Sequence, residues 1–162
     1  MFDMSGVQIL RRAAKFLHEV ASIGFGGGLA VCLLINLTAK RHSPDEFMAA
    51  RHVYASIAQY IVIPSMVIVV ASGLIALAAT RGFMDSGWAW VKALLGLSVF
   101  EATLVIVGSS THEAELALLT SDSAVLDSML RSERNILLLL IAVTIVNVVM
   151  AVWRPTLMYK VR

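Results

Sequence analysis

The sequence predicts an all-α fold, a transmembrane four-helix bundle, on three observations. Four apolar runs each reach the roughly 20 residues that a helix needs to cross a bilayer. The 162 residues are 59% hydrophobic and 15% charged, whereas a soluble domain carries about a quarter charged residues. The connections between the runs hold the proline, glycine and charge that end and restart helices. Open sheets leave unpaired edges in lipid, so the runs are read as helices.

The first span is expected over about 16–38 and the second over about 53–79. The third is expected over about 88–110 and the fourth over about 135–153. Together they make one integral membrane domain, 1–162, with no internal repeat. "AKRHSPDEF" joins the first pair, and its Pro44, Asp45 and Glu46 suit a helix start. "TRGFMDSG" is a tight link to the third span. The stretch 111–134 has apolar residues at helical spacing and is expected as a surface helix. Residues 1–15 are expected as a short amphipathic helix at the interface, with Phe2, Met4, Val7 and Ile9 against lipid. Arg11, Arg12 and Lys15 before an apolar run resemble a signal peptide. The run is too long and lacks a small-residue cleavage site, so it is read as a retained helix.

Composition narrows the partners. The net charge is +2 and no basic run is present, so the lipid bilayer is the expected partner and nucleic acid is not. Cys32 is the only cysteine, which excludes an intrachain disulfide and a cysteine-rich metal site. Four spans put both termini on one side, with Arg11, Arg12, Lys15, Arg81, Arg154, Lys160 and Arg162. The positive-inside rule therefore favours cytoplasmic termini.

Ionisable residues at membrane depth are functional candidates, because an unpaired charge there costs at least ~2.5 kcal/mol. His18, Glu19, Lys92 and Glu101 qualify. His18 and Lys92 each sit about one turn inside helices that start on the same side, so they are expected at similar depth. Lys92 also has an ordinary reading, snorkelling to the headgroups beside Trp88 and Trp90, and so has His18, a hydrogen bond to Glu19 or to a neighbouring carbonyl. Glu101 lies about 13 Å farther along the third helix, too deep for a short side chain to reach water. It is expected either to shed its charge or to pair inside the bundle, with Gln59 and Asn147 as neutral partners. A structural hydrogen bond and a proton relay are both open readings.

Gly24, Gly27 and Gly28 follow His18 within three turns, with Gly26 among them. Gly24 and Gly28 form a small-xxx-small pair that lets another helix come close. The alternative is a smooth surface for a porphyrin ligated by His18, with Tyr54, Tyr60, Phe100 and Trp90 as further walls. Pro64 and Gly73 indicate a kink or a close-packed point in the second span. On the other side of the membrane, His52 and His112 with His42, Glu113 and Glu115 could bind a transition metal, or stand solvated at the interface. His18 and His112 lie most of a ~30 Å core apart and cannot share an ion.

Four short stretches carry a family resemblance: "FLHEV" around His18, "YIVIPSMVIVVASG" from Tyr60 to Gly73, "GWAWVK" ending at Lys92, and "VWRP" after the last span. The chain resembles the tetraspan HemJ-type protoporphyrinogen oxidases and related integral membrane proteins. More distantly it is similar to the CopD-type copper-resistance membrane proteins. The resemblance implies a four-helix membrane bundle, often oligomeric, in the bacterial inner membrane. It implies b-type haem (haem b) held by His18, and a part in activity for Lys92. The chain departs from the family in the third helix, where "SVFEATLV" holds no histidine. The resemblance thus carries haem binding further than it carries six-electron oxidation of protoporphyrinogen. The leading expectation is a haem-binding redox protein, an oxidoreductase or electron-transfer protein with Lys92 and Glu101 as catalytic candidates. A non-enzymatic subunit or assembly factor of a larger complex is the second. Copper or other metal handling at His52 and His112 is the third.

Overall fold

Proline at the start of the second helix shows how local chemistry sets the elements. The computed structural model describes residues 4–38, 43–78, 87–119 and 123–153, with side chains described except at 4–7, 10, 44, 88, 105–119 and 123. Helix α1 runs Met4–Thr38 and α2 runs Pro44–Ile57. Ser43 is extended and caps α2, its Oγ accepting from the Glu46 amide at 3.4 Å. Pro44 follows in the first turn, where its missing N–H costs nothing. Asp45 and Glu46 place negative charge at the positive end of the helix dipole.

A π turn at Ala58–Val62 then leads into α3, Ile63–Ala78. Ile57 and Ile63 both keep right-handed helical angles, so α2, the π turn and α3 form one rod. The Ile63 amide bonds back to the Ala58 carbonyl, five residues away. Pro64 is the physical reason. Its ring crowds the carbonyl four residues earlier and it cannot donate a bond, and a wider turn relieves both.

Helix α4 runs Gly87–Leu119 and α5 runs Ser123–Trp153. The described residues are all-helical apart from the Ser43 cap. Stretches 11–38, 45–78 and 124–153 are long and apolar enough to cross a membrane. Helix α1 packs on α3, on the π turn and on α5, while α4 packs on α3 and α5. The shared core contains Phe25, Leu29, Val62, Met66, Val99, Leu137 and Leu140. A second cluster, Phe47, Leu126 and Leu130, ties the start of α2 to the start of α5.

Two expectations are corrected. The amphipathic segment over 1–15 is continuous with the first span from Met4 onward, because nothing between 4 and 38 breaks the helix. The surface helix over 111–134 is absent as a separate element. Its residues instead lengthen α4 to Leu119 and begin α5 at Ser123. Its apolar spacing serves packing on α2, as Leu126 and Leu130 show.

Candidate functional site

His18 points into the assembly. Its Nδ1 lies 3.1 Å from the Val69 carbonyl oxygen and 3.0 Å from Ser72 Oγ, both on α3. A carbonyl only accepts, so Nδ1 carries the proton. Ser72 donates its own proton to the Ile68 carbonyl at 2.5 Å and is left to accept from His18. In a neutral imidazole this places the lone pair on Nε2. Nε2 has no hydrogen-bond partner among the described residues. A histidine that ligates a metal ordinarily has this arrangement, with its other nitrogen held by a carbonyl. A small residue at 73 suits the approach: a Cβ there would meet the His18 ring at 3.7 Å, ordinary contact distance. A longer side chain would occupy the ring's place.

Lys92 and His18 come within electrostatic reach of each other, and Glu19 reaches both. The structure thus brings His18 and Lys92 into one neighbourhood. Lys92 is half-buried and Glu19 exposed. One turn deeper on α4, Gly96 is half-buried, yet a Cβ there would meet nothing within 4 Å. Helices α1 and α4 share no extended contact among the described residues. His18, Lys92 and Gly96 therefore border a loosely packed flank of the assembly.

The glycines after His18 divide by helical phase. A Cβ on Gly24 would lie 2.6 Å from Ser65 Oγ, and one on Gly28 would lie 2.7 Å from Val62 Cγ2. The room expected there for a planar guest is filled by the second helical rod, which comes close because these two side chains are missing. Gly26 and Gly27 face open space, and Gly27 is exposed.

Several further expectations change place. Glu101 is exposed rather than paired inside. Val99 and Thr103 are buried, and a residue two positions from each lies about 200° around the helix. Gln59 also faces outward, and Asn147 Oδ1 is buried with no partner among the described residues. Tyr60 is 73% exposed and Trp90 half exposed. Phe100 packs against the core. His52 is exposed; the side chain of His112 lies outside the described residues, as do those of Glu113 and Glu115 and the whole of His42. Among the described residues no three His, Cys, Asp or Glu side chains converge as a metal-binding group.

Tyr54 lies at the opposite end from His18, in a polar cluster absent from the sequence reading. Arg51 on α2 and Glu133 on α5 meet twice, Nη1 to Oε2 at 2.8 Å and Nη2 to Oε1 at 3.0 Å. They are 4% and 6% exposed. Asn36 on α1 donates to Glu133 Oε2 at 2.7 Å and to the Leu130 carbonyl at 3.2 Å. The Arg51 guanidinium sits 4.5 Å from the Tyr54 ring centre. Three helices are thereby fastened at one end. The available signal was helical phase: Asn36 repeats the face of Phe25, Leu29 and Cys32, so it had to point inward.

Below the clamp, Cys32, Tyr54, Thr103 and Leu137 help to line an apolar void of about 10 Å³, room for no more than one water. No family model, no curated protein and no solved structure matches the chain, so its chemistry is to be read from the His18 flank and the Arg51–Glu133 clamp themselves.

Proposed function

We propose that the chain is a four-span integral membrane protein that binds b-type haem and serves a redox role. His18 is the iron ligand, and both termini lie on the cytoplasmic side. The observation that carries this reading is the 3.1 Å contact of His18 Nδ1 with the Val69 carbonyl, which assigns the proton to Nδ1 and leaves the Nε2 lone pair for a ligand. The donor set fits the group. An imidazole of fixed orientation, the Lys92 ammonium for a propionate, and bare backbone at Gly96 share one flank. The Gly24 and Gly28 wall does not contribute, since helix packing fills it. The haem would supply one-electron chemistry. The chain's own residues would hold the ring nitrogen, neutralise a carboxylate and keep water from the inner face.

The fourth span in this reading is α4. It has the length, and it lies beside two helices apolar enough to cross. The test is an absorption spectrum of protein purified in detergent. A Soret band is expected, with its loss in His18→Ala and its retention in His52→Ala. A colourless wild type after expression with haem precursor would overturn the assignment.

A second reading, a non-enzymatic subunit of a membrane complex, has the outward Glu101 in its favour. A colourless protein that co-purifies stably with other membrane chains would decide for it.

A further inference from the structure

Two polar sites depend on one rod. Near one end Arg51 and Tyr54 join the clamp. Near the other the Val69 carbonyl and Ser72 Oγ hold His18. In α2 the inner face is Phe47, Arg51, Tyr54 and Ala58, all buried, at the ordinary helical spacing of three and four. Val62 and Met66 continue it, so from Tyr54 to Met66 every step is four. Such a run drifts: in an unbroken α-helix these twelve residues would carry Met66 about 120° round from Tyr54. The π turn removes the drift. It holds one residue more than an α turn, which cancels about 100°, and the Ile63 amide reaches back across it to the Ala58 carbonyl. The surplus bulges outward, where Gln59, Tyr60 and Ile61 are exposed. Beyond the turn the inner face resumes through half-buried Val69 to buried Ser72.

We propose that Pro64 is a positioning residue for His18: by keeping the turn before it open, it sets the rotation of α3 against α2 at which His18 and the clamp are satisfied together. The inference deepens the reading of His18 as a ligand and rests on it wherever haem is measured. Pro64 itself is exposed, so it acts through the backbone. It cannot donate a hydrogen bond, and its ring crowds the Tyr60 carbonyl. Alanine at 64 removes both obstacles and lets the turn close into α-helix. The buried clamp and the Phe47 cluster anchor α2, so α3 takes up the rotation. Each position facing His18 then gives way to its predecessor. Ile68, Ala71 and Ser72 stand where Val69, Ser72 and Gly73 stood. The hydroxyl beside Nδ1 is lost, and a side chain enters the bare place beside the ring.

The test compares three full-length chains in bilayers: the wild type, Pro64→Ala, and Pro64→Ala with Gln59 deleted. Deleting exposed Gln59 leaves Ile63 and Ala58 four positions apart, so the bond they already make becomes an ordinary α bond and both faces keep their phase. Solid-state NMR of haem-free protein, with nitrogen-labelled histidine and carbonyl-labelled valine, reads the close contact of His18 Nδ1 with Val69. The contact is expected in the wild type, lost in Pro64→Ala and regained with the deletion. A residue lost from a helix interior ordinarily adds damage; here it is expected to repair. Haem retention follows the same order, falling severalfold in Pro64→Ala. An unchanged contact in Pro64→Ala, or a deletion chain no better than Pro64→Ala, would overturn the proposal. A Pro64→Ala chain that fails to fold still decides it, because recovery on deletion supports the phase account and no recovery refutes it. A wild type that shows the contact but never takes up haem removes the ligand reading, and the NMR comparison then judges Pro64 alone.

Discussion

Arg51 and Glu133 are 82 residues apart in sequence and meet through two parallel contacts of 2.8 and 3.0 Å, almost fully buried. Their geometry is the fork-to-fork arrangement that gives an arginine–carboxylate pair both strength and direction. Removing one partner strands the other charge. Glu133→Ala or Arg51→Ala is expected to destabilise the fold by about 3–5 kcal/mol, read as a drop in thermal unfolding temperature in detergent. The double change Arg51→Met with Glu133→Leu is expected to recover most of that loss, because a packed apolar pair carries no desolvation penalty. Equal damage from the single and double variants would refute this account of the clamp.

The glycines give a prediction by position. Gly28→Ala puts a methyl 2.7 Å from Val62 Cγ2, and overpacking of this kind costs roughly 1–3 kcal/mol. Val62→Ala in the same chain is expected to relieve much of it. Gly27→Ala meets nothing within 4 Å and is expected to be neutral or to stabilise by up to about 1 kcal/mol, since alanine favours helix. Unfolding midpoints of the three variants decide it; a Gly27→Ala chain as damaged as Gly28→Ala would contradict the assigned helical phase.

His18 should keep its tautomer when one of its two partners is removed. Ser72→Ala leaves the Val69 carbonyl in place at 3.1 Å, so nitrogen NMR of labelled histidine in the haem-free protein is expected to show a protonated Nδ1 in both chains. Nε2 protonation in the wild type would remove the main support for His18 as a ligand.

Gly73 bears on the same ring from the other helix. Gly73→Ala places a methyl at ordinary contact distance, 3.7 Å from His18 Cε1, and is expected to leave the spectrum and the tautomer unchanged. Gly73→Leu needs the volume that the imidazole fills. It is expected to displace the ring and lower haem retention severalfold, while Gly96→Ala, with free space around it, has a smaller effect. Identical spectra for Gly73→Leu and the wild type would place the His18 ring elsewhere.

Helix type, and the ends of helices near 38, 78 and 153, follow from the sequence because they depend on local quantities, whereas the separate helices expected over 1–15 and 111–134 merge into longer ones. Apolar length, Ser43 and Pro44 at a helix start, and the absence of breaking residues act within a few positions. The approach of His18 to Lys92 was legible because each stands near the start of an apolar run in the sequence, although α1 itself begins about four turns before His18. Rotation about the helix axis was not. All faces of α4 are apolar enough to be buried, so composition could not say that Glu101 turns outward while Thr103 turns in. Nor could it show that Gly24 and Gly28 are taken up by Ser65 and Val62, since that contact needs the π turn above Pro64 to set the second rod's register. The Arg51–Glu133 pair was hidden for the plainest reason. Two charges 82 residues apart read as solvated residues until tertiary packing removes water from both and sets each against the other, with Asn36 and the Tyr54 ring completing the replacement.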